Sequence, residues 1–248
     1  MKEAETFSKK GMHIYIIIIA VIFAVVIVGL LMLKYHVEGE TDLPFVIKKI
    51  SIISTAKRDF DKDEEDVWYI SLSQQNNIYI EIEKNSYHRK EDVITKVIFE
   101  NFVISKEKEL GEIVIYKTSE KNNLYNYSEE TIVKDRIEYN GAQFTDTKLL
   151  EINNQGGLIG FSILNKDIGE SILIQNEVVP SDGRLLELAN VQLEDIKFTI
   201  SFDIIIETGS QKKFKANVVF DLPEGNILKD GVGIWETEGE PNVVFKRF

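Results

Sequence analysis

The segment RDFDKDEED (58–66) sets Asp59, Asp61 and Asp63 at alternate positions. A hard cation such as calcium needs converging oxygens, and the first three ligands of a calcium loop share this spacing. The rest of that pattern departs. Glu64 stands where the loop wants glycine for its sharp turn, and Ile70 stands where a bidentate Glu closes the site. Asp59, Asp61 and Asp63 are therefore candidate calcium ligands in a sandwich loop. The competing reading is a solvated acidic loop that blunts a sheet edge.

Other chemistry is sparse. The histidines are His13, His36 and His88, and they lack metal spacing such as H-E-x-x-H. His88 lies near Glu91 and Asp92 and reads as an exposed loop histidine, since no activated nucleophile accompanies it. The chain has no cysteine, which removes thiol chemistry and Cys-ligated metals. GGLIG (156–160) has no following Lys-Ser/Thr, so it reads as a turn entering a strand rather than a phosphate loop. Tyr125 and Tyr127 are aromatic residues in a polar segment. They are candidate contacts for a glycan or protein partner, or else rings tucked over the core edge. No catalytic constellation emerges, and no cofactor beyond calcium is suggested.

The elements that must position these residues begin with an anchor. Met12 to Leu33 is a run without formal charge. As a helix it would extend about 33 Å, enough for a hydrocarbon core of about 30 Å. It exceeds the apolar stretch of a cleavable signal peptide and lacks a small-x-small exit, so an uncleaved signal anchor is expected. Lys2, Lys9 and Lys10 precede it, which by the positive-inside rule places the tail 1–11 in the cytoplasm and the large domain outside. Residues 34–44 read as a polar stalk, reaching at most about 35 Å when extended. Ala20 and Ala24 form one small-xxx-small step, a minimal helix-pairing signal.

From Phe45 onward the hydrophobic period is two. Ile78, Ile80 and Ile82 share a face. DVITKVIFENFVIS (92–105) is too long for one flat strand and predicts a bulge, and it is expected to pair with EIVIYKT (112–118) across KEKELG. Ile196, Phe198, Ile200, Phe202 and Ile204 alternate toward one face, as do Phe214, Ala216, Val218 and Phe220 on a returning strand. ETGSQ (207–211) is the turn, with Gly209 expected at positive φ. Lys213 and Lys215 should face Glu207 and Asp203. SDGRLLELA (181–189) looks helical, and the chain ends in a strand pattern, PNVVFKRF. These features predict a mainly β fold, with residues 45–248 forming one extracytoplasmic β-sandwich of jelly-roll or Ig-like type. The polar stretch 119–130 is the one candidate internal boundary.

Charge narrows the partners. The whole chain carries −12, and removing the N-terminal tail leaves 26 basic against 39 acidic residues. So acidic a domain excludes nucleic acid and disfavours lying flat on anionic lipid. The expected partners are the bilayer, through residues 12–33, and an envelope protein or glycan close to it.

Two resemblances add to this. Lys9, Lys10 and Gly11 before the apolar run resemble the start of a type IV prepilin, with Met12 as first mature residue. Ile16 departs from the Glu usual at the fifth mature position. The segments YHVEGETDLPFVIKKISIISTA (35–56), NQGGLIGFSI (154–163) and FKANVVFDLPEGNI (214–227) resemble uncharacterised single-pass membrane proteins of clostridial-type bacteria. That resemblance implies the same architecture and supplies no activity. The leading functional expectation is a membrane-tethered binding or assembly module without enzymatic activity. The alternatives are an envelope sensor or carbohydrate-binding domain, and a minor pilin-like protein.

Overall fold

The computed structural model describes residues 2–41, 43–62, 68–117, 127–141, 151–153, 156–173, 186–187, 189–237, 243 and 245–247. It begins with a single helix, α1 (Lys2–Thr41). Met12–Lys34 within it is long and apolar enough to cross a membrane, and none of it is buried against the rest of the chain. The expected extended stalk differs: residues 34–41 continue the helix. Nothing between Lys34 and Thr41 removes an amide hydrogen. Gly39 costs a helix only about 1 kcal/mol relative to alanine. Pro44 then disfavours helical geometry at the residue before it. Seven helical residues past Lys34 rise only about 10 Å, so the tether is shorter than an extended stalk.

Among the described residues the strands form two antiparallel sheets. The larger contains β1 (Phe45–Lys62), β2 (Trp68–Lys84), β4 (Glu112–Tyr116), β6 (Glu151–Asn153), β7 (Gly156–Leu173) and β10 (Val232–Glu236). Its order is β10-β1-β2-β7-β4, with β6 also paired to β7. The smaller contains β3 (Ile94–Lys106), β5 (Arg136–Asn140), β8 (Phe198–Thr208), β9 (Lys213–Leu222) and β11 (Lys246–Arg247), in the order β11-β9-β8-β3-β5. Chain on both sides of 119–130 supplies strands to both sheets.

Strand alternation explains the core. Ile50, Ile52, Ile78, Ile80, Ile82, Ile159, Phe161 and Ile163 point inward from the larger sheet, against Phe99, Phe202, Ile204, Phe214 and Phe220 from the smaller one. Phe99, Phe161 and Phe202 meet edge-on or tilted, with ring centroids 5.1–5.8 Å apart. Each such side chain contributes about 1.5–3 kcal/mol by leaving water. A second apolar cluster lies at the far end of the larger sheet. There Ile70, Leu72 and Ile168 meet Val191 and Ile196, the latter in the short helix α2 (Leu193–Ile196), and Ile227 and Leu228 of α3 (Ile227–Asp230).

The β8–β9 hairpin matches expectation, including its charge pairs: Lys213 Nζ lies 2.5 Å from Glu207 and Lys215 Nζ 2.7 Å from Asp203. In its turn, Gln211 and not Gly209 takes the left-handed conformation, at φ 61°. Gly209 is needed for closeness instead, since a Cβ there would stand 2.8 Å from Val93 Cγ2. The bulge expected in β3 lies between Glu100 and Val103, with Asn101 at φ 57°. The expected β3–β4 hairpin does not form. β3 pairs with β8 and β5, whereas β4 crosses to the other sheet and pairs with β7. Gly111, at φ 72°, turns the chain there, and Lys106 Nζ donates to the carbonyls of Leu110 (3.0 Å) and Gly111 (2.7 Å). Ile196, expected at the start of the β8 alternation, instead ends α2 and packs in the second cluster, and β8 begins at Phe198. Of the predicted helix 181–189, Leu186 and Glu187 are helical, and 181–185 and 188 lie outside the described residues.

Candidate functional site

Asp59 and Asp61 belong to β1, opposite Ser71 and Tyr69 of β2, so this stretch is strand where a loop was expected. Asp59 lies 3.4 Å from Lys57 Nζ. Asp63 lies outside the described residues. Among the described residues no group of three His, Cys, Asp or Glu side chains is arranged to hold a metal.

Tyr125 also lies outside the described residues. Tyr127 is described, and it covers the outer face of the larger sheet. Its hydroxyl is 3.1 Å from Ser162 Oγ, which donates to Asn77 Oδ1 at 2.7 Å. Its ring meets Tyr116 edge-on at 5.1 Å, and Lys57 Nζ stands 4.9 Å from the ring centroid. Burial pushes the hydroxyl up to about 12, while the Ser162 hydrogen bond opposes the rise. Tyr127 thus spends its polar atom inside the fold and seals Ser162, which is fully buried. The chain reaches this place because Lys117 N–H donates to Thr131 O and Val133 N–H to Ile115 O, fastening residues 131–133 beside β4.

A polar layer missed by sequence reasoning separates the two apolar clusters. Ser54, Gln74, Asn76 and Asn165 are all at most 1% exposed and project from the inner face of the larger sheet. Ser54 Oγ donates to Asn76 Oδ1 at 2.7 Å and accepts from Glu224 N–H at 2.9 Å. Gln74 Nε2 also donates to Asn76 Oδ1, at 3.3 Å. Burial lowers the Lys106 ammonium, which lies 3.4 Å from Asn165 Oδ1. Among the described residues, Gln74 Oε1, Asn76 Nδ2 and Asn165 Nδ2 have no hydrogen-bond partner. The signal was their phase: Ser54 and Asn76 continue the alternation of Ile52 and Ile78.

A third region is the turn from β2 to β3. Asn85 N–H donates to Pro44 O at 2.8 Å, which fixes the turn beside the point where α1 gives way to β1. His88, expected to be exposed, is half-buried and packs edge-on against Phe45 with centroids 5.3 Å apart. Its Nε2 is buried, with no hydrogen-bond partner among the described residues. Asp92 is 2% exposed, accepts from Arg89 N–H at 3.3 Å and faces Arg89 Nε (3.8 Å) and Lys212 Nζ (3.9 Å). The outer tip carries Tyr87, Arg89 and Lys90, all exposed.

A fourth place is an open cleft of 520 Å³ between Lys117, Ile132, Lys134 and Arg136, beside the segment that crosses from β4 to β5. Compared with protein-family models, curated proteins and solved structures, the chain matches none.

Proposed function

We propose that this chain is a membrane-tethered binding or assembly module. α1 crosses the membrane with residues 1–11 in the cytoplasm, and the β-sandwich works outside, close to the bilayer. The carrying observation is the direct fusion of one fully exposed apolar helix to a two-sheet sandwich, with strand β1 starting four residues after the helix ends. Sandwiches present loops and edge strands to partners. A tether this short restricts those partners to envelope components lying near the membrane. Cross-linking of the full chain in its native membrane tests the reading. A discrete, saturable complex with one repeated partner is expected. Recovery as an unassociated monomer at every cross-linker concentration would overturn it.

A second reading, a minor pilin-like protein, is favoured by the unbroken helix from Lys2 to Thr41, which outruns the apolar segment. Mass spectrometry of the native N-terminus decides it. A mature chain starting at Met12 supports processing after Gly11, and an intact Met1 start removes it.

A further inference from the structure

We propose that the free edge of β10 takes an extended segment of a second, different polypeptide as an added strand. Apolar side chains of that segment lie beside Val232 and Ile234, and a lysine or arginine at its end lies beside Asp221 and Glu224. This deepens the binding reading above and rests on it.

The hydrogen-bonding phase leaves this edge open. Ala56 N–H donates to Gly231 O and Thr237 N–H to Ile50 O, so residues 231, 233, 235 and 237 turn their main-chain groups toward β1. Val232, Ile234 and Glu236 turn theirs away, and no partner meets them among the described residues. The other sheet ends are guarded. Residues 131–133 are fastened beside β4, β5 carries Arg136 and Glu138, and β11 is the pair Lys246 and Arg247. Charges and short lengths of this kind discourage strand addition. β10 reads Val-Gly-Ile-Trp-Glu, and its one charge is answered by Lys49, 2.7 Å away. Ile234 is 66% exposed and Val232 43%, both on the outer face, where Ile234 stands opposite Ile53. Trp235 turns the other way and meets Phe220 of the smaller sheet, with ring centroids 6.1 Å apart.

A row of unpaired amides and carbonyls is matched by an extended backbone, and the charge beside it selects the end of the occupant. Gly233 is pressed against the Glu224 carbonyl, which any Cβ would strike, so the Glu224 segment lies directly against the edge strand. Burial and then the neighbouring Asp221 push the Glu224 carboxyl up. Asp221, Glu224 and Asp230 thus gather around Val232 and Gly233 without an ion pair among the described residues, against one such cation, Lys229 of α3. A cationic end on the occupant complements them. A second copy fits this edge poorly. β10 runs antiparallel to β1, back toward the tether, so copies anchored in one bilayer carry it in the same sense. A symmetric edge-to-edge pair is antiparallel, and it would set the same acids against each other.

A random peptide library displayed on phage is panned against the full chain in nanodiscs, with empty discs as the counter-selection. Enriched peptides should alternate β-branched or aromatic residues with polar ones and carry a Lys or Arg at one end. With a synthetic peptide drawn from that pool, amide exchange should slow at Val232, Ile234 and Glu236 and stay unchanged along β5. Ile234→Lys sets a charge on the edge at an exposed site and should leave the melting temperature unchanged. Ile234→Pro removes only an outward-facing N–H. Each should weaken the peptide by about tenfold or more, and Glu224→Gln should reduce the salt dependence of its binding. No enrichment over empty discs, equal binding to I234K, or slowed exchange that spares β10 overturns the proposal. Cross-linking of the chain to itself through position 234 also overturns it, in favour of a second copy. In native membranes, a partner complex that survives I234K overturns the edge and leaves the binding module standing. Absence of any complex in the unaltered chain removes both.

Discussion

Asp203 offers a direct test of how the smaller sheet is held at its bulge. The residue is 7% exposed in the middle of β8. Its Oδ2 accepts from Asn101 Nδ2 at 2.8 Å and from Lys215 Nζ at 2.7 Å, and its Oδ1 accepts from Asn217 Nδ2 at 3.0 Å. Burial alone would push this carboxyl up, but the three hydrogen bonds and the Lys215 charge outweigh it and hold it below the usual carboxylate range. Asp203→Asn keeps the shape and removes the charge. However the new amide is turned, its NH2 faces a donor, so at least one hydrogen bond is lost. The bonds that survive fall from about 1.5–3 kcal/mol each for a charged acceptor to about 0.5–1.5 for a neutral one. The loss at pH 7 should be about 1–3 kcal/mol, and each kcal/mol lowers the melting temperature of a domain of this size by about 2–4 °C.

The pH dependence has a definite sign. The folded carboxyl titrates below its unfolded value of 3.8, so its stabilisation is fully present above that value. It disappears as pH falls through the lower folded value. Thermal melts of the full chain in detergent should therefore show wild type and D203N well separated at neutral pH and converging in acid. Equal melting temperatures at pH 7, or a gap that persists unchanged below the folded value, would refute the reasoning.

Two further predictions follow from the buried polar groups. Ser54→Ala removes the acceptor of the Glu224 N–H and one of the two donors to Asn76 Oδ1, so it should cost about 1–3 kcal/mol in denaturant melts; a neutral substitution would mean that the polar layer does not hold the 222–226 segment. Tyr127 should remain un-ionised past the ordinary tyrosine value of 10.0 and titrate at about 12, so stability should decline as pH rises between these two values. Tyr127→Phe should abolish that part of the alkaline decline, measured by ultraviolet titration alongside the melts, and an unchanged profile would show that the ring is not sealed over Ser162.

What could be read from sequence was whatever local alternation dictates. The β8–β9 hairpin was legible because inward aromatics and outward Lys–Glu pairs alternate in step on both strands. The β3 bulge was legible because no flat strand holds fourteen such residues. The partner of β4 was not, because adjacency in sequence argues for a hairpin, while Ile115 stands opposite Ile163 and Ile113 opposite Asn165 on β7 of the other sheet. The polar layer escaped for a related reason. Ser54 and Asn76 share the inward phase of Ile52 and Ile78, but polar side chains such as these and Gln74 argue for solvent until a second sheet and the α2–α3 cluster cover them. The helical tether was missed because composition marks residues 34–43 as polar, and polarity says little about whether an existing helix stops. Of the candidate site residues, Tyr127 could be weighed once Ser162 and Asn77 were placed beneath it, a contact between segments far apart in sequence.

The central claim is an anchored chain with its sandwich outside, and cysteine accessibility tests it most directly. Single variants Ser8→Cys in the N-terminal tail and Ser210→Cys in the β8–β9 turn are treated on intact cells with a membrane-impermeant maleimide. Labelling at position 210 on intact cells, and at position 8 only after permeabilisation, is the expected result. The reverse pattern, or protection of both positions until lysis, would contradict it.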